Sequence, residues 1–151
     1  MPWFCGRSWI NGSWFKLSFF EVVVAAKSGC RILVIDDESL VRDALRMMLA
    51  YDGHVVQTAE NGREALALFE IGKFDVVITD FAMPFMSGDE LAVAIKARDA
   101  HQPVVMITAY AELLGPPDHL PAGIDYIIGK PFLVEDLRLA IATVASRAKK
   151  R

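Results

Sequence analysis

Short, mostly apolar runs alternate with amphipathic stretches along most of this chain. The runs are rich in Val and Ile, and they cover residues 30–35, 54–58, 74–79, 103–107 and 124–128. Runs of this kind are typical of parallel strands that are buried on both faces. Five such strands separated by helical segments predict an α/β fold built on a doubly wound, five-stranded parallel sheet.

The segments between these runs have apolar residues at the three- and four-residue spacing of a helix. Three of them begin near Ser39, Asn61 and Gly88, and another covers residues 134–146. Asn61 is a predicted N-cap, because Glu64 follows it by three residues, as in a capping box. Helices that connect parallel strands in this way cover both faces of the sheet.

The connection between the fourth and fifth strands has a different composition. Within it lie Gly115, Pro116, Pro117, Pro121 and Gly123. In a helix interior, proline costs about 3 kcal/mol and glycine about 1 kcal/mol relative to alanine. We therefore expect a short or irregular fourth helix, with at most one helical turn in residues 112–122.

Residues 1–29 do not share the alternating pattern. They are rich in Trp and Phe but show no clear helical or strand period, so we interpret them as a poorly ordered N-terminal extension. The apolar stretch 17–26 is interrupted by Glu21 and followed by Lys27, which disfavours a signal peptide. Residues 147–151 are interpreted as a basic C-terminal tail, and no other stretch is long and apolar enough to cross a membrane.

Composition and charge narrow the class of protein. The chain has 151 residues, of which 54% are hydrophobic, so it can bury a sizeable core. Its net charge of −3 provides no basic field for nucleic acid. Its two cysteines and three histidines show no zinc-ligand spacing. These features predict a cytoplasmic protein that binds neither nucleic acid nor membrane.

Polar residues stand at the ends of four of the predicted strands. Asp36 and Asp37 follow the first strand, Asp80 follows the third, Thr108 ends the fourth and Lys130 follows the fifth. In an open parallel sheet, ligands bind outside the carboxyl ends of the strands. Three carboxylates, a hydroxyl and an ammonium at this edge predict a site for a divalent cation and a phosphoryl group.

Four motifs together resemble the receiver domain of two-component response regulators. They are Val34-Ile35-Asp36-Asp37-Glu38, the segment from Asp80-Phe81-Ala82-Met83-Pro84 to Gly88, Thr108-Ala109, and Lys130-Pro131-Phe132. The resemblance covers residues 30–146 and implies a flavodoxin-like fold, with a cis peptide bond before Pro131. The loop after Asp80 and the short fourth connection are most similar to stand-alone receivers and to receivers of hybrid sensor kinases.

The resemblance implies a phosphorelay function. Asp80 would accept a phosphoryl group from a histidine kinase or hybrid sensor kinase. Asp37, Asp80 and the backbone carbonyl of Ala82 would bind Mg²⁺ directly, and Asp36 would act through water. The protein would be a phosphoacceptor that assists its own phosphorylation and dephosphorylation, rather than an enzyme. We expect a monomer when it is unphosphorylated, with no output domain and an unknown downstream protein partner.

By the same resemblance, Lys130 would neutralise one phosphoryl oxygen and Thr108 would hydrogen-bond another. The chain departs from the family at the aromatic switch residue, which usually stands three positions before the lysine. That position is Ile127 here, and Tyr126 points to the opposite face of the strand. Tyr110 is the nearest alternative aromatic residue, so the usual coupled switching is in question.

Two other classes of protein remain alternatives. A pseudo-receiver would bind partners without ever being phosphorylated, although the complete acidic set disfavours this. A phosphatase of the haloacid dehalogenase type would need Asp-x-Asp after the first strand, where this chain has Asp36-Asp37-Glu38. That class would also leave Asp80 unexplained.

Overall fold

The computed structural model describes residues 7–10, 13–16, 29–114, 116 and 118–149. Strands occur at β1 Arg7–Ile10, β2 Ser13–Lys16, β3 Arg31–Ile35, β4 Val55–Ala59, β5 Val76–Asp80, β6 Val104–Thr108 and β7 Tyr126–Gly129. The helices in these ranges are α1 Ser39–Tyr51, α2 Gly62–Leu68, α3 Gly88–Arg98 and α4 Val134–Lys149. None of the described helices is both long and apolar enough to span a membrane.

Strands β3 to β7 form one all-parallel sheet in the order β4-β3-β5-β6-β7. Helices α1, α2 and α3 connect the first four strands of this sheet in chain order, and α4 follows β7, which confirms the predicted doubly wound α/β fold. The strand register aligns the carboxyl ends, since Asp80 pairs with Ile107 and Thr108 pairs with Gly129. The polar residues at these ends therefore lie along one edge of the sheet.

Each face of the sheet has its own apolar core. On one face, Ile32 and Val34 pack in a cluster with Leu45 of α1 and Leu137 of α4. On the other face, the cluster contains Leu33, Ile35, Ala65 of α2, and Leu91 and Ile95 of α3. Because side chains alternate along a strand, a strand buried on both faces needs apolar residues at every position. This requirement explains the continuous apolar runs in the sequence.

The predicted N-cap of α2 is confirmed. The Asn61 side chain accepts a hydrogen bond from the Glu64 amide at 2.8 Å. The Glu64 carboxylate, however, accepts from the amide of Glu60 at 2.8 Å, one residue before the N-cap. The first bond satisfies an amide that the helix N-terminus leaves without an intrahelical partner, and the second ties the preceding residue to the first turn.

The fourth connection holds a single 3₁₀ turn, Ala111–Leu114, in its described residues, as expected. Gly123 has φ +82°, and a Cβ there would lie 2.9 Å from the carbonyl carbon of Ala92 in α3. Only glycine allows the chain to turn and pack this closely against the helix. The connection therefore lies directly against α3 without forming an α-helix of its own.

The two ends of the chain differ from the expectation. Strands β1 and β2 pair antiparallel, with Trp9 opposite Trp14, where the sequence showed no strand period. These strands are only four residues long, too short for alternation to be recognised. Helix α4 ends at Lys149 rather than near residue 146, so part of the predicted tail is helical. The remainder of residues 1–29 lies outside the described residues, and its poor order stays a prediction.

Candidate functional site

The three predicted carboxylates converge at the carboxyl edge of the sheet. Each of Asp36, Asp37 and Asp80 offers an oxygen atom, and these atoms all lie within 4.8 Å of one another. Asp36 and Asp80 are buried, whereas Asp37 is exposed. The cluster is therefore shielded from solvent at Asp36 and Asp80 and open to solvent at Asp37.

Hydrogen bonds from the start of α1 hold Asp36 in place. Its Oδ1 accepts from the Glu38 amide at 2.9 Å, and its backbone carbonyl accepts from the Arg42 guanidinium at 2.7 Å. Burial raises the pKa of the Asp36 carboxyl, and the charge of Asp80 adds to this, while the Glu38 amide and Lys130 oppose it. The net direction is upward, so the folded protein disfavours the ionised form of Asp36.

Lys130 brings the one ammonium group that contacts the described carboxylate cluster. Its Nζ lies 3.1 Å from Asp80 Oδ1 and 3.6 Å from Asp36 Oδ2. Its amide donates to the Thr108 carbonyl at 2.8 Å, and the peptide bond to Pro131 is cis, as expected. Burial lowers the pKa of Lys130, but the hydrogen bonds and charges of Asp80 and Asp36 together outweigh it and raise the pKa overall. The side chain is therefore held charged beside the buried carboxylates.

Thr108 is buried at the end of β6. Its Oγ1 accepts a hydrogen bond from the Tyr110 amide at 3.0 Å, which ties the hydroxyl to the start of the fourth connection. Ile127 packs with Leu114 in the cluster on the α2–α3 face, while Tyr126 packs in the cluster on the other face. The opposite orientation of Tyr126 is confirmed, so it cannot replace the missing aromatic residue beside Thr108.

The loop after Asp80 is closed by Gly88. The Gly88 amide donates to the Phe81 carbonyl at 2.8 Å, and a Cβ at this position would lie 2.1 Å from the Asp80 carbonyl oxygen. Any side chain there would push the loop away from the site. Ala82, the predicted carbonyl ligand, is exposed two residues after Asp80 in this loop.

Three supporting groups were not predicted from the sequence. They are the Glu38 amide, the Arg42 guanidinium and the close approach of Gly88 to Asp80. The amide has no sequence signal, and Arg42 resembles any other charged residue on a helix. Gly88 can be seen in the sequence before a helical pattern, but the close approach to Asp80 that requires glycine there cannot.

The donor set fits a hard divalent cation. Three carboxylates and one ammonium leave a formal excess of two negative charges when all the groups are ionised. Mg²⁺ prefers one or two carboxylates together with water and phosphate oxygens, and the open side of the cluster leaves space for such ligands. The arrangement can therefore bind Mg²⁺ and bring a phosphoryl group to Asp80.

Residues 32–142 match the response regulator receiver domain family. The chain belongs to this family, and it is a receiver domain of two-component signalling. The match covers every residue of the candidate site and all of the parallel sheet except Arg31.

Relatives and solved structures agree with this assignment. Response regulator MprA of Mycolicibacterium vanbaalenii is 36% identical over 107 residues, which are 71% of this chain and 46% of that protein. A receiver domain protein from Clostridium thermocellum superposes with a TM-score of 0.74 and 34% identity, covering 80% of this chain and 97% of that one. TrrA of Thermotoga maritima, crystallised with Mg²⁺–BeF, gives a TM-score of 0.68 and 35% identity, covering 76% and 97%. The chain spans about half, or less, of the curated relatives it matches.

Proposed function

We propose that this chain accepts a phosphoryl group on Asp80 from a histidine kinase or hybrid sensor kinase, in the presence of Mg²⁺. The observation that supports this most strongly is the convergence of Asp36, Asp37 and the Lys130 ammonium on the Asp80 carboxylate. Carboxylates held this close repel one another and are partly desolvated, and groups arranged against stability in this way are found most often at functional sites.

The transfer follows from the chemistry of a carboxylate nucleophile. An oxygen of Asp80 attacks the phosphorus of a phosphohistidine, the phosphorus–nitrogen bond breaks, and its electron pair returns to the imidazole. The product is an acyl phosphate on Asp80. Lys130, already 3.1 Å from Asp80 Oδ1, would then bind an oxygen of the transferred group, and the Thr108 hydroxyl would donate to another.

Asp36, Asp37, Asp80 and the Ala82 carbonyl would hold the cation. When bound, Mg²⁺ supplies the positive charge that lets an anionic phosphoryl group approach an anionic cluster. The Mg²⁺–BeF complex of the Thermotoga relative supports this choice of ion. In our proposal the chain is a phosphoacceptor, not an enzyme with a separate substrate, and its phosphorylated form switches binding to a downstream protein.

The test is phosphorylation with acetyl phosphate and Mg²⁺, read by intact mass. We expect the native protein to gain one phosphoryl group and Asp80→Asn to gain none, because amide nitrogen and oxygen are poor nucleophiles. Asp118→Asn, which removes an exposed carboxylate from the fourth connection, is the matched control and should label normally. A native protein that never gains mass would point to the pseudo-receiver, and turnover of phosphate esters would point to the phosphatase.

A further inference from the structure

The loop after Asp80 contains an unusual three-residue turn. The Met86 amide donates to the Pro84 carbonyl at 2.8 Å, which closes a γ-turn with Phe85 at its centre. Phe85 has φ +69°, and it is the one described residue other than glycine with a positive φ. A bulky side chain in this conformation is sterically unfavourable, and this form of the γ-turn is rare and strained.

Phe85 is also fully exposed, at 105% of its reference accessible area. Two methionines of the same loop face the interior. Met83 is buried in the apolar cluster on the α2–α3 face of the sheet, and Met86 packs against that cluster. The loop is thus fixed from inside, and the strained turn directs the aromatic ring into solvent. The backbone conformation costs free energy, and the exposed ring gains none from burial.

Three further apolar side chains that are at least half exposed stand beside the site. Leu40, in the first turn of α1, follows Asp37 by three positions, Tyr110 follows Thr108 by two, and Leu133 follows Lys130 by three, so all three apolar side chains lie at the carboxyl edge of the sheet. Together with Phe85 they form what we call the apolar rim. A charged pocket surrounded by exposed apolar residues is the arrangement expected where another protein covers the pocket.

We propose that Phe85 is the aromatic anchor by which a phosphorylated histidine protein docks over Asp80. This inference rests on the proposed phosphoryl transfer and adds its docking residue. Asp80 is only 9% exposed, so the imidazole of a protein donor must come down into the pocket, and the surface around that imidazole must cover the rim. A large aromatic side chain at such a point has the position and character of an interface hot spot.

The test compares a protein donor with a small-molecule donor. Histidine kinases and histidine phosphotransfer domains from the source organism are each phosphorylated, and the fastest donor to the native chain serves as the probe. We expect Phe85→Ala to slow transfer from this donor about thirtyfold, the lower limit for a hot spot. Labelling by acetyl phosphate, which is too small to reach the rim, should stay unchanged. Phe85→Leu should retain part of the rate.

Ile71→Ala is the matched control, because Ile71 is an apolar loop residue that is 70% exposed at the opposite end of the sheet. It should transfer at the native rate. Phe85→Gly should melt at the native temperature or higher, since glycine adopts positive φ without strain. A lower melting temperature would make Phe85 a structural residue and overturn the proposal.

The remaining outcomes separate this inference from the proposed function. Equal rates for native and Phe85→Ala with the protein donor would overturn the anchor alone. A parallel loss with both donors would place Phe85 in the chemistry of the site and not in docking. Native protein that takes label from acetyl phosphate but from no protein donor would also count against the anchor. A native dimer that Phe85→Ala dissociates would show that the rim contacts a second copy. No labelling by any donor would overturn the proposed function itself.

Discussion

At the scale of single residues, the site brings together charges that repel one another. Burial and the charge of Asp80 raise the pKa of Asp36, so the folded protein holds its ionised form at a cost. Lys130 compensates only part of the negative charge, because one ammonium faces three carboxylates. A divalent cation would supply the remainder, so its binding should be linked to the stability of the fold.

We therefore expect Mg²⁺ to raise the melting temperature at pH 7 relative to EDTA. An ion present at a hundred times its Kd stabilises a protein by about 2.7 kcal/mol. Asp37→Asn should reduce this gain, since it removes one ligand oxygen's charge, whereas Asp118→Asn should keep it. Thermal melts of the three proteins with Mg²⁺ and with EDTA give the answer, and superimposable native melts in both solutions would contradict the metal site.

The residues of the site were predictable because of one geometric rule. Parallel strands end at a common edge, so Asp36, Asp80, Thr108 and Lys130 had to meet once their strands were recognised. What could not be predicted depends on three-dimensional neighbours that leave no pattern in the chain. The strained φ of Phe85 is such a feature, since a Phe between Pro and Met reads as ordinary loop sequence.

At the scale of elements, the apolar runs predicted burial better than they predicted strands. Phe74 and Ile124 were assigned to strands, and both are buried, but β5 begins at Val76 and β7 at Tyr126. Residues that enter a strand from a loop can fill the core without joining the ladder, so the apolar pattern extends past the hydrogen bonds. Polar contacts also hold elements together, and one such contact joins the end of α1 to α4.

The pair Asp52–Arg138 should contribute measurably to this fixing. Two hydrogen bonds of 2.7 Å join the carboxylate at the end of α1 to the guanidinium of α4, and Arg138 holds the pKa of Asp52 below its usual value of 3.8. We expect Arg138→Ala to lower the free energy of unfolding by about 1–2 kcal/mol at pH 7. Because the folded pKa of Asp52 is depressed, this contribution is complete above pH 3.8 and is lost as the pH falls through the folded value.

Urea unfolding at several pH values measures the difference in the free energy of unfolding between the native protein and Arg138→Ala. Arg31→Ala is the control, since Arg31 and Asp75 make a similar bidentate pair whose side chains are 52% and 41% exposed. It should cost clearly less than Arg138→Ala, because solvent screens an exposed ion pair. Equal losses for the two variants, or an Arg138→Ala loss that does not diminish as the pH falls below 3.8, would contradict the assignment.

At the scale of the whole molecule, we propose that a phosphoryl group on Asp80 would act on the fourth connection through Thr108. The Thr108 hydroxyl links the two, because its Oγ1 accepts from the Tyr110 amide just before the single 3₁₀ turn. Ile127 provides no aromatic ring to move with Thr108, and the connection has no α-helix in its described residues to shift as a rigid body. We infer that the fourth connection responds to phosphorylation by becoming more ordered.

We therefore expect phosphorylation to slow amide exchange in residues 112–114 and 118–120. In the unphosphorylated protein these amides should exchange quickly, because they make few backbone hydrogen bonds, such as that from Leu113 to Tyr110. When beryllofluoride and Mg²⁺ occupy the site, Thr108 should turn toward Asp80 and draw the start of the connection onto the sheet. Thr108→Val should lose this protection, while α3 should exchange identically in every sample. Full protection of these amides before phosphorylation, or protection gained equally by Thr108→Val, would contradict a signal that leaves through Thr108.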